Sequence, residues 1–269
     1  MVKISVVTLT FNSELTIKET IKSVISQTYP NIEHVIIDNV STDKTLQIVS
    51  DLYDEVDKKY KVISEKDQGI SDGFNKGIAA SNGEVVVFLN SDDVYCDKDL
   101  LETVAKAFEN PEVMFVHGDM FFEDPDFGSN RRKPLFCDLD YGMPFNHPTM
   151  FIRKSLYDEI GNFDLSYRYA MDFHLVCRMF QSVKKCKYKG IYLSDPCFVL
   201  MRAGGISDTQ ELRSIDDVER SLKENHLYSF KAFINLFMRR SRIRIKKRLS
   251  TLGLQIIVKV WRRLKWGEG

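Results

Sequence analysis

The 269-residue chain has few of the features that mark several protein classes. Its five cysteines (Cys96, Cys137, Cys177, Cys186 and Cys197) are odd in number and widely spaced, with no Cys-x-x-Cys pair. That excludes a disulfide framework and a cysteine-based zinc site, and it fits a reducing cytoplasm. With only seven prolines and fourteen glycines and no low-complexity tract, it is neither fibrous nor disordered. No apolar run approaches ~18 residues, so no membrane-spanning helix is expected. The opening Met1-Val2-Lys3-Ile4 leads straight into a strand-like segment and lacks a signal-peptide layout. Neither a G-x-G-x-x-G nor a G-x-x-x-x-G-K-[ST] pattern occurs, which removes the ordinary dinucleotide and P-loop solutions. His34, His117 and His174 show no joint ligand spacing, so a histidine metal centre is not expected.

The net charge is zero, but it is unevenly spread. Residues 239–269 hold eleven Lys/Arg and one acid, Glu268, leaving 27 bases and 37 acids in the other 238 residues. An acidic body with a basic tail bears on partners, not on fold.

The first third alternates strand and helix patterns. Lys3–Thr10 is β-branched and apolar; Ser13 is placed to cap a helix with Ile17, Ile21, Val24 and Ile25 on one face. His34–Ile37 reads as a second strand, and Ser41-Thr42-Asp43 opens a helix carrying Leu46, Val49 and Leu52 or Tyr53. Tyr60–Ser64 follows as a short strand, Asp72–Ser81 as a helix, and Glu84–Leu89 as a fully buried strand. Further on, Leu100–Phe108 and Met171–Phe180 read as helices, Val113–His117 as a strand and Glu123–Arg132 as a polar loop. This alternation predicts an α/β fold whose mostly parallel central sheet is flanked by helices. Ligands of such sheets bind beyond the carboxyl ends of the strands. Polar clusters follow those ends at Thr10–Asn12, Asp38–Asp43, Asp67–Gly69 and Asn90–Asp93.

Asn90-Ser91-Asp92-Asp93 is the sharpest of them. Two adjacent carboxylates at the end of a buried strand repel one another and lose water, a conflict that a divalent cation relieves. Hard oxygen ligands suit Mg²⁺ or Mn²⁺. The bland alternative is a loop whose aspartates cap the next turn. Asp124-Pro125-Asp126 and Asp138-Leu139-Asp140 have similar spacing but do not follow a buried strand, and read as loop acids.

Several segments occur in an order that resembles the family-two glycosyltransferases, the inverting, nucleotide-sugar-using enzymes of GT-A (Rossmann-like) fold. They are Val6–Asn12, Ile37–Thr45, Asp67–Ile70, Asn75–Ala79, Gly83-Glu84 and Phe88–Asp93, then His147–Phe151, Gly161–Asp164, Tyr169–Asp172 and Gly204–Ser207. The resemblance covers residues 3 to about 207. It implies a donor site built from Thr8, Thr10, Phe11, Asn12, Asp38, Asn39, Asp67, Gly69, Asn75, Lys76 and Asp92. Asp93 would be the direct ligand of Mn²⁺ or Mg²⁺, with Asp92 beside it. Phe11 would stack on the base, and Asp38 and Asn39 would read it. Asp172 falls in the slot of the catalytic base; it also suits the N-cap of the Phe173–Phe180 helix. His147 and Met171 fall on the acceptor side, where His147 equally suits a structural hydrogen bond.

The implied chemistry is direct displacement: a base takes the acceptor proton and the diphosphate leaves under cationic neutralisation. One carboxylate and no covalent intermediate would invert the anomeric centre, unlike the paired carboxylates of glycosidases. Some positions depart from the family pattern. Leu9 replaces a common proline, Asn39 replaces a frequent acid and leaves base choice open, with uracil or thymine preferred. No Gln-x-x-Arg-Trp follows Asp172, which points to single-sugar transfer. A sugar nucleotidyltransferase shares the sheet type but would need a glycine-rich, lysine-bearing loop. A catalytically silent nucleotide-sugar-binding membrane adaptor is the non-enzymatic alternative.

The expected organisation is a transferase domain at 1–228, with a nucleotide-sugar half at about 1–95 and an acceptor half at about 96–228, then a helical tail at 229–269. In the tail, Ile245, Leu249, Leu252, Ile256, Val260 and Leu264 recur at helical spacing among Lys and Arg. A basic amphipathic helix suits an anionic membrane surface, here through 239–266; packing on the acidic body is the alternative. No nucleic-acid recognition motif accompanies the charge. The expected enzyme is therefore cytoplasmic, peripheral on the inner face of the cell membrane, with a lipid-linked glycan acceptor. A homodimer is left open.

Overall fold

The computed structural model describes residues 1–56, 60–124, 128–135, 137–183, 189–202 and 210–251. Four parallel strands form its first half: β1 (Ile4–Thr10), β2 (Ile32–Asp38), β3 (Tyr60–Ser64) and β4 (Val85–Phe88). All four residues of β4 are buried, as a strand covered on both faces requires. After β5 (Val94–Tyr95), the sheet is completed by β6 (Val113–Gly118), β9 (Phe151–Arg153) and β10 (Lys189–Leu193). The strand order is β10-β6-β9-β4-β1-β2-β3, and β9 alone runs antiparallel to its neighbours. A smaller sheet joins β5, β11 (Val199–Arg202), β7 (Met120–Asp124) and β8 (Gly128–Arg132).

Helices cover both faces of the large sheet. On one side α1 (Ile17–Ile25) and α2 (Thr45–Asp54) pack Ile17, Ile21, Val49, Leu52 and Tyr53 around Ile36. On the same side α4 (Leu100–Ala107) covers Val85, Val87 and Phe151. On the other, α3 (Ile70–Ala80) lies tight against β1: a Cβ on Gly77 would come within 2.4 Å of the Val7 Cγ1. That core continues into α5 (Lys154–Ile160), α6 (Met171–Val183), α7 (Glu211–Glu224) and α8 (Phe230–Thr251). Both expected halves contribute strands to one sheet. Ala232 and Leu236 are buried in that same core, so the first turns beyond the expected 228/229 boundary belong to the body.

Three local expectations are corrected. Helix α1 starts at Ile17, and no side chain caps it; the Ser13 carbonyl accepts from Thr16 N and Ile17 N, while its hydroxyl meets Ser91 Oγ at 2.8 Å. In place of the expected polar loop, residues 123–124 and 128–132 are strand, paired antiparallel in β7 and β8. Apolar alternation does not hold β8 in place; partners elsewhere in the fold do. Arg131 Nε donates to the buried Asp119 carboxylate at 2.8 Å and the Arg132 guanidinium lies 3.4 Å above the Phe122 ring. Helix α3 begins at Ile70, two residues early, because Gly69 takes a positive φ of 126° that turns the chain into it.

Behind the carboxyl edge, His34 is buried between two hydroxyls: Thr8 Oγ1 at 2.8 Å from Nε2, and Tyr53 on Nδ1. Burial pushes its imidazole down to about 3. The folded protein thus excludes a proton that the unfolded chain binds below about pH 6.5. Stability contributed by neutral His34 is full above that pH and is lost on acidification, by about 1.4 kcal/mol per pH unit between about 6.5 and 3. Urea unfolding across pH should show this slope, and His34→Gln should reduce it by one proton's worth.

Candidate active site

The parallel register brings the strand ends together. Thr10 pairs with Asp38 and Asp38 with Ser64, forming one row across β1, β2 and β3. Asp38 is fully buried, and each carboxylate oxygen accepts two hydrogen bonds. Oδ1 takes Thr10 Oγ1 at 2.9 Å and Ser41 Oγ at 2.5 Å; Oδ2 takes Ser41 N at 3.0 Å and Ser64 Oγ at 2.6 Å. Burial works to raise its pKa, but these donors outweigh it and hold the group below the ordinary carboxylate range. Saturated in this way, Asp38 shapes the edge and offers no free oxygen to a base. Its grip on Ser41 holds Val40, a β-branched residue, in the left-handed region at φ 57°.

The neighbouring loops are stitched to this row. Asn12 (φ 48°) receives Thr42 N on its Oδ1 at 2.8 Å and donates its own N–H to Ser41 Oγ at 2.9 Å. Asn39 donates its N–H to Thr10 O and accepts Asp67 N on Oδ1, both at 2.9 Å. Asp67 Oδ1 then accepts Gly69 N at 2.9 Å. Phe11, next to Asn12, is 58% exposed at this rim. Beside Gly69 a cleft of ≈ 290 Å³ opens against Leu165, Tyr167, Arg168 and Tyr169. Of these, Leu165, Tyr167 and Arg168 are residues that the sequence did not single out, whereas Tyr169 opens the Tyr169–Asp172 segment.

Beyond β4, Asp93 is buried (2% exposed), with Asn90 Nδ2 3.4 Å from its carboxylate and backbone groups of Asn90 and Arg202 also turned to it. Burial first, then the charge of adjacent Asp92, pushes it up to about 8. Its backbone is clamped: N–H to Asn90 O at 3.0 Å and carbonyl to Thr20 Oγ1 at 2.8 Å. The Ser13–Ser91 contact ties this turn to the β1 loop. Arg202 reaches the Asp92 carbonyl at 3.5 Å and otherwise pairs with Glu19 and Glu123.

Three expected donor residues are engaged inside the protein instead. The Thr8 hydroxyl is committed to His34 in the core, two residues short of the edge. Asn75 bonds both backbone groups of Phe163, at 2.8 and 2.9 Å, and so fixes α3 to the turn before α6. Lys76 holds Lys66 O at 2.8 Å and pairs with Glu65 and Asp72.

Among the residues expected on the acceptor side, Asp172 stands in the first turn of α6, its Oδ1 accepting Phe173 N at 2.8 Å. The expected N-cap position is corrected: the helix begins at Met171, so Asp172 lies inside its first turn and not ahead of it. His147 opens a short 3₁₀ turn, His147–Thr149, with its ring 5.8 Å from Phe74 and 6.3 Å from Phe163. Burial lowers the His147 pKa, and the Asp172 charge opposes that shift, so the two groups feel one another. Met171 is buried in the core beneath them.

The family model for Glycosyl transferase family 2 matches residues 5–177. The chain belongs to that family. It is a glycosyltransferase with the GT-A fold. An uncharacterized glycosyltransferase of Nostoc sp. is 37% identical over 42% of this chain, which spans about a third (35%) of that relative. A PGL/p-HBAD biosynthesis glycosyltransferase of Mycobacterium bovis is 29% identical over 66% of this chain and 70% of its own length. Among solved structures, a mannosyltransferase from Pyrobaculum calidifontis, in complex with GDP-Man and Mn²⁺, has a TM-score of 0.66 at 15% identity, covering 98% of this chain and 80% of its own. S. aureus TarS residues 1–349 with UDP gives 0.63 at 20%, covering 92% and 72%. These structural likenesses carry the fold.

For this family member, Asp38→Ala should strip the edge of its organiser and leave buried hydroxyls unmatched. A loss of at least about 1.5–3 kcal/mol in urea unfolding is expected. Asp38→Asn should recover only part of it, because an amide accepts on one side alone.

Proposed function

We propose that this chain transfers one sugar, with inversion, from a nucleoside-diphosphate sugar to a hydroxyl of a lipid-linked glycan acceptor. Surface-polysaccharide assembly (O-antigen, capsule or a similar polymer) on the inner face of the cell membrane is the setting this reading implies. The observation that carries it is Asp93: a buried carboxylate, beside a second one, at the strand end where family members place the donor. The residues fit a divalent cation. Asp93 and Asp92 supply hard oxygen at one turn, and no group of three His, Cys, Asp or Glu side chains gathers among the described residues. The remaining ligands would then be diphosphate oxygens and water, the usual surroundings of Mg²⁺ or Mn²⁺. When bound, the cation would neutralise charge on the departing diphosphate. The structural relative crystallised with Mn²⁺ supports this reading.

The chain's own groups have separable tasks. The Asp38 row holds the β1 and β2 loops so that Phe11 can stack on the base and Asn12 and Asn39 keep the rim in place. Asp172 takes the acceptor proton as the hydroxyl attacks the anomeric carbon, and a single carboxylate acting on one face inverts that centre. His147 adjoins Asp172 and lines the acceptor side. A UDP-sugar is the first-choice donor, supported by TarS structures with UDP and UDP-GlcNAc.

A thermal-shift screen of UDP, GDP, dTDP and CDP sugars with Mn²⁺ tests the donor. One nucleotide at ~100 times its Kd should add about 2.7 kcal/mol, a rise that Asp93→Ala abolishes. No response to any nucleotide would sink the proposal. Asp172→Asn should retain the donor shift while turnover falls by about 10²–10⁴; undiminished turnover would remove Asp172 as the base.

A further inference from the structure

The outward face of α8 is unlike the rest of the surface. Its inward side is accounted for: Ala232 and Leu236 are buried, Ile243 packs against the same core, Arg240 pairs with Asp216 and Glu219, and Lys246 with Glu211. On the opposite side Phe230, Phe233 and Phe237 are 75%, 50% and 61% exposed. Their rings follow one another along the helix at 6.3 and 6.4 Å between centroids. Ile234, Met238 and Ile245 widen the strip, all exposed. Residues at 3.6-residue spacing continue the same face, and in the next turns they include exposed Arg244 and Arg248, with Lys247 at the margin. Residues 230–251 contain eight Lys/Arg and no acid.

We propose that this face of α8 docks on an anionic lipid bilayer, with the phenylalanine ladder in the interfacial layer and the arginines on headgroup phosphates. Contiguous exposed aromatics are costly in water and mark an interaction surface. An apolar strip running into cations on one helix face is the pattern of an in-plane interfacial helix. A second copy of the chain is the poorer occupant, because a two-fold contact would oppose the same acid-free basic face to itself. No helix among the described residues is long and apolar enough to cross a membrane, so the contact is peripheral. The docking element begins at 230, upstream of the expected 239–266; Leu252, Ile256, Val260 and Leu264 of that stripe lie outside the described residues.

The helix also connects to the site. Ser229 Oγ donates to Asp140 Oδ1 at 2.8 Å, anchoring α8 to the short turn Leu139–Tyr141, whose Tyr141 is half exposed. His147 follows six residues later. Docking therefore holds the acceptor side close to the lipid; this consequence, unlike the docking itself, rests on the proposed lipid-linked acceptor.

Cosedimentation of the full chain with phosphatidylcholine vesicles, with and without about one-third phosphatidylglycerol, tests the inference. Binding to the anionic vesicles, weakened by salt, is expected; Phe233→Glu with Phe237→Glu should reduce it about tenfold or more. Both sites are exposed, and retention of the donor-induced thermal shift shows that the variant folds. Absence of wild-type binding, or equal binding by the double variant, overturns the proposal. So does a wild-type dimer that the double variant converts to monomer with no vesicle binding by either. A missing donor shift in the wild type would sink the transferase reading and leave the vesicle result standing.

Discussion

A carboxylate that accepts four hydrogen bonds inside the protein organises everything at the carboxyl edge. Asp38 joins Thr10, Ser41 and Ser64, so three adjacent strands end in register and the loop after β2 turns back where it must. Asn12, Asn39 and Asp67 then extend the network outward by backbone contacts. A buried charge is tolerable only with such satisfaction. The result is a preformed rim, with the exposed Phe11 ring held on it.

Asp93 is the counterpart. It is nearly as buried as Asp38, but it faces a like charge, and its contacts with Asn90 and Arg202 do not offset its lost hydration. Thr20 and Asn90 fix its backbone, so the carboxylate is not free to turn toward water. One carboxylate is finished by the protein, while the other is held in an environment that favours a positively charged visitor. That contrast separates scaffold from chemistry within a site where both residues are aspartates following a strand.

The second half of the chain packs against α3 beside this edge. Asn75 clasps Phe163, and Ser71 donates to Tyr167 O at 3.0 Å, so α3 carries the segment leading into α6. Asp172 and His147, 25 residues apart in sequence, come close enough for the charge of one to act on the other. Helix α8 closes the same core from the far end, and its outward phenylalanines give the enzyme one face that water does not suit.

Much of this was legible in the sequence. Continuous apolar strands such as Val85–Phe88 and the spacing of Ile17, Ile21 and Val24 report burial directly, and polar clusters after strand ends locate the edge. The ordered motifs identify the family and single out Asp93 and Asp172. Other features depend on partners distant in the chain, which periodicity does not encode. Thr8 and Thr10 are two residues apart on one strand, yet the tertiary structure gives one to His34 in the core and the other to the site. Likewise β8, polar throughout, is a strand through its pairing with β7, and its arginines reach Asp119 and Phe122. The sequence by itself determined an acidic α/β body with a basic end; only packing decided which face of α8 was left outside, since burial of Ala232 and Leu236 leaves Phe233 and Phe237, each one residue and about 100° further round the helix, off the buried side.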